Sequence, residues 1–184
     1  MIISVSRRTD IPAFYVEWFY NRLRAGYVLV RNPMNVHSVS KVALSPEVVD
    51  AFVFWTKNPL PLMKRLDELA EYPYYFQFTL TGYGKDIEPG LPDKKQVLLP
   101  AFKELAAKTG RQRVIWRYDP IFFSSRYSVK YHLECFEALA AELSGSTERC
   151  VISFMDEYRN TKRNAQKLGA VNYSSEEIYA FAAR

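Results

Sequence analysis

Five apolar runs, each closed by polar or charged residues, constrain this chain more than any other feature. They are IISVSRRTD (residues 2–10), AFVFWTKNP (51–59), YYFQFTLTG (74–82), RVIWRYDP (113–120) and CVISFMDE (150–157). Helix-forming stretches separate them. Strands alternating with helices imply a parallel sheet with right-handed crossovers. A parallel sheet gathers its strand C-termini on one edge, and α/β proteins place their ligand sites there. Five polar strand ends on one edge would make a site.

A closed eight-stranded barrel usually needs about 250 residues, and this chain has 184. The expected fold is therefore α/β, a partial (β/α) barrel or open parallel sheet of five to six strands, in a single domain over residues 1–184. Asp10 can cap the first helix, Pro12 suits its first turn and Gly26 its end. YVLVRNP and SVSKVAL then read as a β-hairpin around Asn32–His37, an insertion that breaks the βα rhythm. A short helix from Ser45 and a longer one over PLMKRLDELA follow. Asp93 caps a helix to about Lys108, and Ser128 caps one to about Leu143. Ser174 with Glu177 forms a capping box. Residues 81–93, TGYGKDIEPGLPD, are long for a βα loop, and such loops are often functional. The last helix-forming run has no stop signal, which fits the N-terminal part of a longer protein or a short family member.

The net charge of +5 favours anionic partners but is too mild to establish a nucleic-acid binder. Much of the excess is early: Arg7, Arg8, Arg22, Arg24, Arg31 and Lys41 face only Asp10 and Glu17. Together with Tyr15, Tyr20 and Tyr27, the cations Arg22, Arg24, Arg31 and Lys41 read as an ordinary solvated face, with a nucleic-acid surface as the alternative. YRNTKRNAQK reads as a solvated helix. Two cysteines, Cys135 and Cys150, give no disulfide framework and no metal spacing, and read as small buried residues. No signal peptide opens the chain, and its apolar stretches are strand-sized, so a cytoplasmic protein with no membrane partner is expected. His132 reads as a surface or packing residue and His37 as exposed. There is no phosphate-binding glycine loop, serine elbow or histidine–carboxylate zinc set.

Strand pleating decides which end residues meet, because side chains alternate faces. Gln77 and Thr79 oppose Phe76 and Phe78; Arg117 and Asp119 oppose Trp116 and Tyr118. The second strand leaves a choice between Thr56 with Asn58 and Trp55 with Lys57, and the first between Arg7 and Arg8. The candidate ligand-binding residues are Arg7, Arg8, Lys57, Asn58, Gln77, Thr79, Arg117 and Asp156. Asp119 and Asp10 are the catalytic candidates, as groups that orient the cations or handle protons. An arginine fork with a lysine suits phosphate or carboxylate, so the expected partner is an anionic small molecule or nucleotide-like ligand. The competing interpretation is an Arg–Asp network that only plugs a polar barrel end.

The runs SRRTDIPAFYVEWFYNRLRAGYVLVRNP, VFWTKNPLP, YYFQFTLTGYGKDIEP, RVIWRYDPI and CVISFMDEYRNTKRN resemble the prokaryotic family known as domain of unknown function DUF1848, over essentially the whole chain. The resemblance implies that SRRTD, WTKNP and RYDP carry the family's function. Longer members continue into a region of clustered cysteines. This implies an iron–sulfur cluster in a longer parent protein that resembles a radical S-adenosylmethionine enzyme. No cofactor is expected within this chain, whose two cysteines fall short of the several thiolates a cluster needs.

Overall fold

The computed structural model describes residues 1–155, 168–171 and 173–183. Asp156, the YRNTKRNAQK run and the Glu177 side chain of the capping box lie outside the described residues. Five strands form one parallel sheet: β1 (Ile2–Ser4), β4 (Ala51–Thr56), β5 (Tyr74–Thr79), β6 (Val114–Ile121) and β7 (Cys150–Phe154). Their spatial order is β1-β4-β5-β6-β7, so each new strand adds on the same side. The described residues thus form an open parallel sheet with five of the expected five to six strands. The hairpin after the first helices is present as β2 (Tyr27–Arg31) against β3 (Val39–Ala43), antiparallel and in register from Tyr27↔Ala43 to Arg31↔Val39.

The first helical stretch divides into α1 (Ile11–Phe14) and α2 (Val16–Ala25) at Tyr15. Asp10 Oδ1 accepts from Ala13 N at 3.0 Å, as its capping role requires. Gly26 ends α2 at φ +73°, a left-handed conformation that glycine adopts without steric penalty. PLMKRLDELA does not form one helix. It breaks into α3 (Leu60–Met63) and a 3-10 turn (Leu66–Leu69). SPEVVD makes only turns, with Val48 N and Val49 N both bonded to the Ser45 carbonyl; six residues return too few bonds to sustain a helix. Asp93 caps a π-helical turn (Lys94–Leu98) that runs into α4 (Leu99–Thr109). Ser128 caps α5 (Val129–Leu143), accepting from Tyr131 N. The last helix is α6 (Ser175–Ala182).

The helices pack on the sheet face that carries Phe52, Phe54, Phe76, Phe78, Trp116 and Tyr118. Phe19 of α2 meets Phe52 and Phe54 edge-on, Phe102 of α4 stacks on Phe78 at 5.0 Å, and Phe136 of α5 stacks on Trp116 at 4.8 Å. These aromatic residues are nearly all fully buried and make the core. The other face presents Val53, Trp55, Gln77, Thr79, Ile115, Arg117, Val151 and Ser153, and apart from Val53 these are only half-buried. Polar groups are tolerated on that face because water still reaches it.

Two loops at the strand C-termini are held together by a satellite core of Tyr83, Phe122 and Tyr127. Tyr83 stacks on Phe122 at 4.9 Å, and its hydroxyl donates to Pro120 O at 2.8 Å. Buried beside them, His132 presents Nδ1 to the Tyr118 hydroxyl at 2.9 Å and Nε2 to Phe122 O at 3.0 Å. The carbonyl can only accept, so Nε2 carries the proton and Nδ1 accepts from the tyrosine. Burial pushes the ring's pKa below its ordinary value. The long 81–93 loop is therefore packed rather than loose.

Candidate functional site at the strand ends

Register decides which end residues meet. Trp55 pairs with Gln77, and Thr79 with Arg117, whereas Thr56 pairs with buried Phe78. Trp55 and Lys57 thus share the open side of the sheet. Thr56 and Asn58 turn inward to local work: Thr56 Oγ1 accepts from Asn58 N at 3.0 Å, and Asn58 Oδ1 accepts from Leu60 N at 3.3 Å at the start of α3.

The expected cluster resolves into three connected groups. In the first, Arg117 forms a fork with Asp119. Its Nε donates to Oδ1 at 2.9 Å, Nη2 to Oδ2, and Nη1 to Gln77 Oε1 at 2.5 Å. Ser153 Oγ adds a bond to Asp119 Oδ2 at 3.2 Å. The guanidinium lies 4.6 Å over the Trp55 ring, a cation–π contact. In the second, Asp10 accepts from Ala13 N and, through Oδ2, from Lys57 N at 2.8 Å. Burial raises its carboxyl above the ordinary value, against the pull of these hydrogen bonds. In the third, Glu88 takes Lys57 on one oxygen and Lys94 on the other. Thr81 Oγ1 also donates to Glu88 at 3.1 Å, and Lys94 Nζ reaches Thr81 O at 2.9 Å and Tyr83 O at 2.6 Å.

Glu88 is only 8 % exposed. Burial alone would raise its pKa, but the two ammonium groups outweigh it and hold the carboxyl below its usual range. Burial likewise lowers the Lys94 pKa, with Glu88 opposing the shift. Sequence reasoning missed Glu88, Lys94, Thr81 and Ser153, and left Trp55 as one of two alternatives. The length of the 81–93 loop was the signal for Glu88 and Thr81, and Lys94 follows that loop directly.

A cleft of about 320 Å³ opens at the C-terminal ends of β1 and β4. Arg7, Arg8, Asp10, Lys57 and Thr79 line it, while Arg117 lies against the ring of Trp55, another lining residue, and holds Asp119. Arg7 and Arg8 are both exposed. Arg8 Nη2 donates to Arg31 O at 2.7 Å, and the Arg7 side chain has no hydrogen bond or ion pair among the described residues. Two more polar atoms in the cleft lining, Ser6 Oγ and Trp55 Nε1, are buried without a hydrogen-bond partner among the described residues.

The remaining candidates are scattered. Tyr20, read with the basic N-terminal surface, is buried, and its hydroxyl donates to Arg65 O at 2.5 Å. Cys150 is exposed and Cys135 half-buried rather than both being buried, and both are unpaired. Among the described residues, no three His, Cys, Asp or Glu side chains gather as a metal site. No described helix is long and apolar enough to cross a membrane.

Fold and site together define an α/β protein with a one-sided parallel sheet and a polar, mainly cationic cluster at its strand C-termini. The chain belongs to the family described as domain of unknown function (DUF1848), whose model matches residues 2–184. No curated protein and no solved structure matches it.

Proposed function

We propose that this protein is an enzyme, or the substrate-binding barrel portion of one, and that it binds an anionic, phosphate-bearing ligand at the strand C-termini. The observation that carries the reading is the 320 Å³ cleft, which joins Arg7, Arg8 and Lys57 to two buried, unpartnered polar groups, Ser6 Oγ and Trp55 Nε1. Buried donors without partners are uncommon and call for an explanation; oxygen acceptors on a ligand would supply one. The size lies at the low end of the ~300–1,000 Å³ usual for small-molecule sites.

The groups have different parts in this reading. Arg7 and Arg8 meet the anion, and Lys57 adds its ammonium from beside Glu88. Both oxygens of Asp10 and of Asp119 are already engaged, so each acts by positioning: Asp10 holds the Lys57 backbone, and Asp119 holds Arg117. Titration calorimetry with ribose 5-phosphate and pyrophosphate tests the reading. Arg7→Ala and Arg8→Ala should each weaken binding by about 1.5–3 kcal/mol, the scale of a charged hydrogen bond. Both side chains are exposed, so unfolding curves should barely move. Added salt should weaken binding further. Absence of phosphate binding, or equal affinity in both variants and the parent, would refute it.

A further inference from the structure

The strand-end cleft shares a wall with a second cavity of different character. This groove, of about 510 Å³, lies between β1 and the β2–β3 hairpin. Its lining is largely apolar, with Val28, Leu29 and Val30 from the hairpin and Tyr15 and Trp18 from the α1–α2 region. Leu29 is 59 % exposed, Tyr15 49 % and Trp18 46 %. Nearly every other aromatic ring near the sheet packs on a neighbouring ring or cation, but neither Tyr15 nor Trp18 does so among the described residues. Two half-exposed, unpartnered rings beside exposed aliphatic side chains form a surface suited to another flat group.

Arg7, Arg8 and Thr9 line both cavities. The wall between them is thus a single turn of three residues, at most about 10 Å even if extended. Arg8 bonds the Arg31 carbonyl of β2, which ties the hairpin to this turn. An anion pocket and an aromatic groove therefore sit on either side of the same two arginines.

We infer that the groove is the base-binding subsite of a nucleotide site. The phosphate lies in the strand-end cleft against Arg7 and Arg8, the sugar crosses the Arg7–Thr9 turn, and the base rests on Trp18 and Tyr15. This rests on the anion reading of the cleft and names its ligand class. Stacking on an aromatic ring tolerates any base, and beyond the two arginines given to the phosphate and the Tyr15 ring, the groove's polar side chains are Ser4, Thr9 and Arg31, with no carboxylate or amide among them. The site should therefore discriminate weakly among bases and strongly against a ligand that has none. An added peptide strand fits less well, because β1 offers only three residues of edge.

The test measures binding of ribose 5-phosphate, adenosine and the four ribonucleoside monophosphates to the parent chain, Trp18→Ala and Trp18→Phe. The best nucleotides should bind about 10-fold tighter than ribose 5-phosphate, about 1.4 kcal/mol. Trp18→Ala should erase that advantage without changing ribose 5-phosphate affinity, and Trp18→Phe should keep most of it. If nucleotides and ribose 5-phosphate bind equally, or if Trp18→Ala weakens both alike, the base subsite is refuted and the anion reading stands. If adenosine binds as tightly as its monophosphate, the two cavities do not act as one site. If no phosphate compound binds, the anion reading itself fails and the subsite falls with it.

Discussion

Replacing Glu88 with glutamine tests the most heavily connected group at the strand ends. The carboxylate is buried and takes Lys57 and Lys94 on separate oxygens, with Thr81 Oγ1 as a third donor. Removing one partner of a buried ion pair costs about 3–5 kcal/mol, because the remaining charge is left uncompensated. Two features reduce that figure here. The Lys57 side chain is 39 % exposed and can turn to water, and Lys94 keeps the Thr81 and Tyr83 carbonyls as acceptors. Glu88→Gln should therefore cost about 2–3 kcal/mol, at or just below the lower bound of that range. For a chain of this size it should lower the melting temperature by roughly 4–12 °C. The pH dependence carries a sign. The lysines hold the folded pKa of Glu88 below its ordinary 4.5 despite burial. The stability it contributes is then fully present above that value and is lost as pH falls through the lower folded pKa. Urea unfolding of parent and variant, followed by circular dichroism, should show a constant gap near neutrality that narrows as the pH falls below 4.5. A gap below about 0.5 kcal/mol at neutrality, the range of an ordinary surface change, would refute the reasoning. So would a gap that does not narrow in acid.

Other perturbations probe the loops around the site. His132→Phe takes the ring acceptor from the Tyr118 hydroxyl, which keeps only a long bond to the carbonyl of residue 132, and strands the Phe122 carbonyl; it should cost about 1–3 kcal/mol in chemical denaturation. Because burial depresses the folded pKa of His132 below 6.5, the unfolded state takes up a proton that the folded state refuses. The parent should lose stability as pH falls through about 6.5, a slope the variant should lack. Gly82→Ala places a methyl group 2.9 Å from both Cβ and Sγ of Cys135; α5 would have to shift, at about 1–3 kcal/mol, and an unchanged melting temperature would contradict this. Cys135→Ser and Cys150→Ser should alter stability but not the iron content of the purified chain. Stoichiometric iron lost on either substitution would make the cysteines a site.

Local signals carried most of the fold. The five apolar runs, the hairpin around Asn32–His37 and the caps at Asp10, Asp93 and Ser128 depend on nearest neighbours and period-two patterning, and they are all present. Failures came where propensity was asked to stand in for tertiary bonding. PLMKRLDELA has good helix formers, yet Arg65 is drawn to Glu17 across 48 residues as well as to Glu68. The strand-end side chains were legible as a set because pleating fixes their faces, as with Gln77 and Arg117. Their pairings were not legible. Glu88 reaches Lys57 over 31 residues and Trp55 meets Arg117 over an even longer separation, and neither contact leaves a mark on local sequence.

On the proposed anion reading, a ligand site and a structural plug need not be alternatives. Three nitrogens of Arg117 are already engaged, and its side chain is only 15 % exposed. A ligand phosphate that pulled it from Asp119 would leave a nearly buried carboxylate uncompensated, which costs more than an added charged hydrogen bond returns. Arg117 is therefore poorly suited to be the anion's anchor. It is well suited to fix Trp55, whose ring lies beneath its guanidinium and whose side chain lines the cleft. Arg7 and Arg8 bear the opposite stamp: they are exposed, carried on a turn rather than a strand, and free of any carboxylate partner among the described residues. The interior network supplies rigidity and the N-terminal turn supplies available charge. A plug of this kind is what a preorganised anion site at an open sheet edge requires.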